Sequence, residues 1–357
     1  MYLARLTCQS FRCLEDTDFR PGPAINVVRG GNAQGKTSLL ESVLFAATAR
    51  SHRTSVEREL VRHGAEGFRL HAWVRRSDRD ISIEVAWHHG VKRFRVNGVA
   101  QTRVSDVLGK LNVVLFSPED IALVKGAASC RRHFLDLSLS QVDAVYLNAL
   151  QRYRQALRQR NELLRSRQPD AALLEVWDAQ LAEHGGVLIR ARAALLEELS
   201  GLAAPTHAHI ATGEALRLEY RPDVCSQAAF LDSLGRNRDA DIRQRVTTRG
   251  PHRDDFLFLI AERPAKSFAS QGQQRTAALA LKLAELELVK HRTGEYPVLL
   301  LDEVFSELDT RRAGSLFSVV DKGVQCLVTT TGLSPAIEMS KTTCASFVIS
   351  GGRLEED

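Results

Sequence analysis

The chain has 357 residues, of which 44% are hydrophobic and 25% charged, ordinary values that exclude a disordered or collagen-like protein. At about 150 residues per domain, the length implies roughly two lobes. The net charge is +5; no apolar run reaches the roughly 18 residues of a membrane span, and the opening MYLARLTCQSFRCLED places Arg5 and Arg12 where a secretory leader needs an apolar core. Six cysteines, none in C-x-x-C spacing, are too sparse for a disulfide scaffold, so a reduced, cytoplasmic protein without a membrane partner is expected.

Residues 24–28 (AINVV) predict a buried strand ending in glycines, and 38–49 an apolar helix. Alternating runs at 69–74, 81–87 and 91–96, with Asn97-Gly98 as a hairpin turn, predict an antiparallel sheet added to that strand–helix unit. Residues 111–116 form a further strand stopped by Ser117-Pro118. Apolar positions then recur with helical period at Val142, Tyr146, Leu150, Tyr153, Leu157 and Leu164, and again at Trp177, Leu181, Leu188, Leu195 and Leu199. The turn SRQPD (166–170) joins these into a hairpin with arms of roughly 35–45 Å at 1.5 Å per residue. It fits either a projecting arm or a compact two-helix layer. Past Gly201 follow a strand at 216–220, a polar helical stretch, a strand at 256–260 and a long helix at 273–291. The chain ends in α/β alternation, with strands at 298–301, 325–329 and 347–350 and a helix at 311–320. The expected domains are 1–120 with 293–357 as one lobe and 121–292 as a mostly helical second lobe.

Positive charge is concentrated. Residues 50–110 hold thirteen basic against seven acidic side chains, 129–168 hold eight arginines against three acids, and arginine outnumbers lysine 39 to 9. Codon bias and phosphate recognition both produce that ratio.

Gly30, Gly31, Asn32, Ala33, Gln34, Gly35, Lys36 and Thr37 read GGNAQGKT, the G-x-x-x-x-G-K-[ST] pattern between a strand and a helix. Its glycines let backbone N–H groups face phosphates at a helix N-terminus. Lys36 is expected to reach the β- and γ-phosphates of ATP, and the Thr37 hydroxyl to ligate Mg²⁺. VLLLDE at 298–303 is a buried strand closing in two acids. Asp302 is expected to hold the metal through water, and Glu303 to polarise the attacking water as a general base. SQGQQR at 270–275 opens a helix with a serine and a glycine, an arrangement that serves either as an ordinary N-cap or as an anion site.

The order of these motifs, with SELD (306–309) after the two acids, is that of ABC-type ATPase heads. The chain resembles the SMC-like branch of the ABC ATPases and, within it, the RecF family of bacterial recombination mediators. The resemblance rests on SFR (10–12), GGNAQGKT, SHRT (51–54), FSPED (116–120), RRHFLD (131–136), RGPHRDD (249–255), SQGQQRT (270–276) and LLDEVFSELD (300–309), and it spans the whole length. It implies an α/β fold, an ABC-type P-loop ATPase head of mixed sheet plus antiparallel sheet, with a helical second lobe. It implies a weak ATPase, with hydrolysis used as a switch, and an ATP-dependent homodimer that binds single-stranded and duplex DNA at gap junctions. That dimer would load a recombinase with a RecR-type mediator. Ser270, Gly272 and Arg275 would act in trans, Ser306 and Asp309 would form the D-loop, and Arg12 would contact nucleotide. His52, Arg53, Arg131 and Arg132 are DNA-contact candidates; the alternative for Arg131 and Arg132 is a solvated helix start. Two departures stand out: TTTG (329–332) has no switch histidine, and FSPED has no Q-loop glutamine. Competing readings are a soluble P-loop enzyme such as a metabolite kinase, and a transporter-type ATPase subunit.

Overall fold

In the computed structural model, which describes residues 1–211, 214–306, 312, 314, 316, 322–332 and 344–357, the chain divides into two compact units. Residues 1–120 with 279–357 form the first and 121–278 the second. The return crossing falls at Leu279, inside the helix expected at 273–291, where the expected boundary was 293.

The first unit opens with β1 (Tyr2–Gln9), β2 (Thr17–Phe19), β3 (Ile25–Arg29), α1 (Lys36–Thr48), β4 (Gly67–Arg75), β5 (Asp80–His88), β6 (Val91–Val96), β7 (Val99–Gln101) and β8 (Val113–Phe116). The second holds α2 (Ile121–Lys125), α3 (Ala128–Val142), α4 (Ala144–Leu164), α5 (Ala171–Ile210), β9 (Leu216–Arg221), α6 (Gln227–Arg236), α7 (Arg238–Gln244), β10 (Asp255–Ile260), β11 (Arg263–Pro264) and α8 (Ala265–Phe268). Then come α9 (Gln271–Thr293), β12 (Val298–Asp302), β13 (Cys326–Thr330), β14 (Cys344–Ser350) and β15 (Arg353–Glu356). The helix expected at 311–320 lies largely outside the described residues.

Two sheets enclose one helix in the first unit. The antiparallel sheet runs β2-β1-β4-β5-β6-β7. It buries alternate residues, Phe68, Leu70, Ala72 and Val74 on β4 and Ile81, Ile83, Val85 and Trp87 on β5, the pattern of a sheet with one face on a core. The mixed sheet runs β15-β14-β3-β13-β12-β8, with β14, β3, β13, β12 and β8 parallel and β15 antiparallel. Strand β12 is buried at every position, as a strand covered on both faces must be. Helix α1 is enclosed on every side, and every residue but Thr37 is buried. It touches β4 and β5 of one sheet and β8, β12 and β13 of the other, the only placement that covers such a helix.

In the second unit, α4 and α5 pack together. Asp143 caps α4 by accepting from the N–H groups of Val145 and Tyr146, and Asp170 caps α5 through those of Ala172 and Leu173, each contributing about 1 kcal/mol. Helix α5 is longer than expected at 40 residues, about 60 Å, because Gly201 and Pro205 lie inside it instead of ending it. Helix α3 went unpredicted because its buried positions include Arg131, Asp136, Ser138 and Gln141.

Arg131 and Asp136 belong to ion networks of this unit. Arg192 donates to Asp136 (2.8 Å), Asp254 (2.8 Å) and the Pro251 carbonyl (2.7 Å). Arg160, fully buried, donates to Asp178 (2.6 Å), Asp241 (2.7 Å) and Thr247 (2.8 Å). RGPHRDD is thus a core segment: His252 sits 2.6 Å from the Tyr153 hydroxyl and 3.0 Å from the Thr247 carbonyl.

Candidate nucleotide-binding site

Residues 30–35 link the end of β3 to the first turn of α1. Gly30 has no room for a side chain, since a Cβ there would lie 2.4 Å from the Ile349 carbonyl oxygen. Gly35 adopts φ 114°, open to glycine and strained for other residues. Gln34 ties the loop to the β14–β15 turn: its side-chain oxygen accepts from Gly351 N–H (2.6 Å) and its carbonyl from Gly352 N–H (3.0 Å). Gly31, Asn32 and Ala33 are exposed. The loop borders a cavity of about 310 Å³ lined by Cys13, Ala33, Gly35, Lys36, Thr37, Ser38, Arg53 and Glu303.

Lys36 is buried, and its ammonium donates to the carbonyls of Gly30 and Gly31, both at 2.8 Å. It also pairs with Glu303 at 3.0 Å. Thr37 Oγ1 donates to Asp302 Oδ1 at 3.1 Å. An octahedral cation with oxygen ligands at about 2.1 Å has ligand edges of about 3 Å, so this hydroxyl and carboxylate fit Mg²⁺. The register that pairs Asp302 with Thr329 brings in a residue the motif search passed over. Thr329 is fully buried; its hydroxyl donates to Asp302 Oδ1 (2.7 Å) and accepts from Glu303 N–H (3.0 Å). Glu303 has φ 53°, a strained conformation for a side chain of this size, and Thr329 holds it there through its carbonyl (3.2 Å) as well. Where a switch histidine was missed, a threonine clamps both acids; a buried hydroxyl at that register was the available signal.

Arg12 grips Glu41 with two nitrogens (2.9 and 2.8 Å) and donates to the Glu59 carbonyl (3.0 Å), so its guanidinium is committed to α1. Burial opposes the Glu41 charge, but Arg12 and Ser51 outweigh it and hold the carboxyl below its usual range. His52 and Arg53, expected as DNA contacts, belong to this neighbourhood. Arg53 lines the cavity and lies 3.9 Å from Glu41. The His52 imidazole is held below its ordinary value by burial, with Glu41 and Asp302 pulling the other way.

The helix opened by SQGQQR is α9. Ser270 is exposed; its N–H donates to the Gln273 side chain (2.8 Å), and its hydroxyl accepts from Gln273 N–H (3.2 Å). This reciprocal capping box satisfies one of the helix's first N–H groups. Gly272 and Arg275 are half-buried in the same first turns. Ser306 ends a short 3₁₀ turn (Val304–Ser306), and Asp309 lies outside the described residues. Arg131 is corrected outright: it is buried and bound bidentately to Asp255 (2.6 and 2.9 Å), a pairing across 124 residues that local sequence cannot reveal. Arg132 is half-buried and donates to the Asp254 carbonyl (2.7 Å).

Comparison with known proteins agrees with this geometry. Residues 2–348 match the family model of the RecF/RecN/SMC N-terminal domain. A DNA replication and repair protein RecF of Ligilactobacillus salivarius is 40% identical over 100% of this chain and 98% of its own length. One from Listeria monocytogenes is 37% identical, with both chains covered fully. A solved structure of the recombination mediator RecF with ATP superposes with a TM-score of 0.92 at 34% identity, covering 100% of this chain and 97% of its own. A Pyrococcus furiosus Smc head domain, 16% identical with a TM-score of 0.59 over 100% of this chain and 96% of its own, shares the fold. The fold is therefore the ABC-type ATPase head, and the chain belongs to the RecF/RecN/SMC family and, within it, to the RecF proteins of DNA replication and repair.

Proposed function

We propose that this chain is an ATP-gated DNA-binding dimer of recombinational repair and replication-fork recovery. It acts in the cytoplasm at single-stranded gaps and helps a RecR-type partner load the recombinase. The observation that carries the reading is the gathering of Lys36, Thr37, Asp302 and Glu303 around one cavity in a chain whose relatives include an ATP-bound structure. Family membership leaves the metabolite-kinase and transporter-subunit readings without support.

The chemistry follows from the contacts. An entering γ-phosphate competes with Glu303 for the Lys36 ammonium and draws it onto the phosphate oxygens. Glu303, freed from that ion pair, can accept a proton from water. Bound between Thr37 and Asp302, Mg²⁺ would offset the phosphate charge. The exposed Ser270 and the half-buried Gly272 of one subunit then meet the γ-phosphate held by the other. Because those contacts exist only in the closed dimer, ATP shifts the equilibrium toward it and ADP does not.

Light scattering after size exclusion tests this. Ser270→Arg should leave ATP binding by the monomer intact while abolishing both dimerisation and hydrolysis. Glu303→Gln should bind ATP and accumulate as a dimer. Mixing Ser270→Arg with Lys36→Ala protein should restore partial hydrolysis, since each mixed dimer keeps one unimpaired composite site. Normal ATP-driven dimerisation of Ser270→Arg would end the proposal.

A further inference from the structure

A second cavity, also about 310 Å³, roughly the volume of ten waters, lies within the helical unit. Three arginines line it, one from each of three helices: Arg132 of α3, Arg154 of α4 and Arg192 of α5. The only carboxylate among the described lining residues is Asp136, and it is already engaged. It accepts from Arg154 (2.6 Å), from Arg192 (2.8 Å) and from the Tyr146 hydroxyl (2.5 Å). Arg132 donates to a backbone carbonyl at 2.7 Å and forms no ion pair among the described residues. Burial and the nearby Arg192 charge pull its guanidinium below the ordinary arginine value, with Asp255, Asp254 and Asp136 pulling the other way.

The first turn of α3 faces the same space. Ser129 lines the cavity, and the helix, 15 residues long with Ala127 as N-cap, has no side chain capping its N–H groups. A helix N-terminus of that length carries partial positive charge and unsatisfied donors. Arg192 is matched by Asp136 and Asp254, and Arg154 by Asp136, which leaves Arg132 and the uncapped N–H groups of α3 as the positive groups that an anion beside the cavity would meet. The arginine fork and the helix terminus both suit a tetrahedral oxyanion.

We propose that this cavity binds a phosphate group, held by the Arg132 guanidinium, the Ser129 hydroxyl and the first turn of α3, with Arg154 as the second cation. The phosphate is either a terminal monoester of a DNA strand or free inorganic phosphate. The first source rests on the DNA-binding reading above; the pocket itself does not.

The test is calorimetric titration of inorganic phosphate into full-length protein saturated with a non-hydrolysable ATP analogue, so that the P-loop is filled. Wild type should bind one phosphate per chain. Arg132→Gln should weaken that binding at least tenfold, and Leu157→Trp, which fills the cavity without changing charge, should do the same. Unchanged analogue affinity shows that each variant is folded. A second arm compares single-stranded oligonucleotides with and without a 5′-phosphate. Tighter binding of the phosphorylated strand by wild type, lost in Arg132→Gln, identifies a DNA end. Equal binding of both strands, with inorganic phosphate still bound, identifies free phosphate. If no oligonucleotide binds, the DNA reading fails while the phosphate arm still reads the pocket. The proposal is overturned if the analogue-saturated wild type binds no phosphate, or if both variants bind it as tightly as wild type.

Discussion

Thr329→Val isolates one hydroxyl in the nucleotide site. The side chain keeps its shape and its fully buried position, but the 2.7 Å donation to Asp302 and the acceptance from Glu303 N–H disappear. A hydrogen bond to a charged group contributes about 1.5–3 kcal/mol. The added methyl recovers up to about 0.8 kcal/mol of burial, leaving a net loss of about 1–2 kcal/mol. The carbonyl of residue 329 still holds Glu303 N–H at 3.2 Å, so the left-handed backbone at Glu303 survives and the damage falls on Asp302. For a unit of this size the thermal midpoint should drop by roughly 3–6 °C. The Mg²⁺ concentration that supports half-maximal ATP hydrolysis should rise severalfold, because Asp302 is then oriented by Thr37 alone. Thr329→Ser should restore both properties. A Val variant with the wild-type midpoint and Mg²⁺ dependence would refute the claim that this hydroxyl orients the acid.

Lys36→Ala should abolish ATP binding measured by calorimetry, and should cost about 1 kcal/mol of stability as the Gly30 and Gly31 carbonyls lose their donor; retained binding would remove Lys36 from the site. His252 is pushed down to about 4, chiefly by burial. Its contribution is therefore complete above pH 6.5 and declines as pH falls toward 4, by at most about 3 kcal/mol. Urea midpoints of wild type between pH 7 and 4 should show that slope, and His252→Gln should flatten it. Arg160→Met removes the only ion-pair partner of Asp241 among the described residues, while Arg238 still holds Asp178 at 3.0 Å. A loss of about 3–5 kcal/mol is expected, partly recovered by adding Asp241→Asn; a loss below about 1 kcal/mol would mean the network relaxes without it.

The nucleotide loop and the acids of β12 were legible because their chemistry is local. A glycine able to hold φ 114°, a lysine beside it and a continuous apolar run before two acids are all contiguous in the chain. Register and burial of charge are not local. Thr329 became visible only when β13 was laid beside β12. Arg131 read as a surface cation because its partner Asp255 is supplied from far along the chain. The neighbourhood of His52 and Arg53 was hidden for a similar reason: Glu41, 3.9 Å from Arg53, lies on the buried helix α1. Helix α5 outran its expected end because packing outweighed the breaking tendency of Gly201 and Pro205, and α3 escaped notice because its inward face carries ion pairs where periodicity seeks apolar residues.

Strand β3 has its two neighbours supplied from the far end of the chain: Ile25–Arg29 pairs with Cys326–Thr330 on one side and Cys344–Ser350 on the other. On a ribosome moving at about 5–20 residues per second, the phosphate loop waits roughly 15–60 s after it emerges before either neighbour exists. The helical unit, residues 121–278, has its sheet and its ion networks closed within its own span, so it can mature on the nascent chain in the meantime. A message cut short before residue 344 would yield a folded helical body beside a first unit whose phosphate loop lacks the Ile349 wall and the Gly351–Gly352 anchor of Gln34. The capacity to bind nucleotide thus arrives only once residues 344–352 have been made, long after the loop itself has emerged.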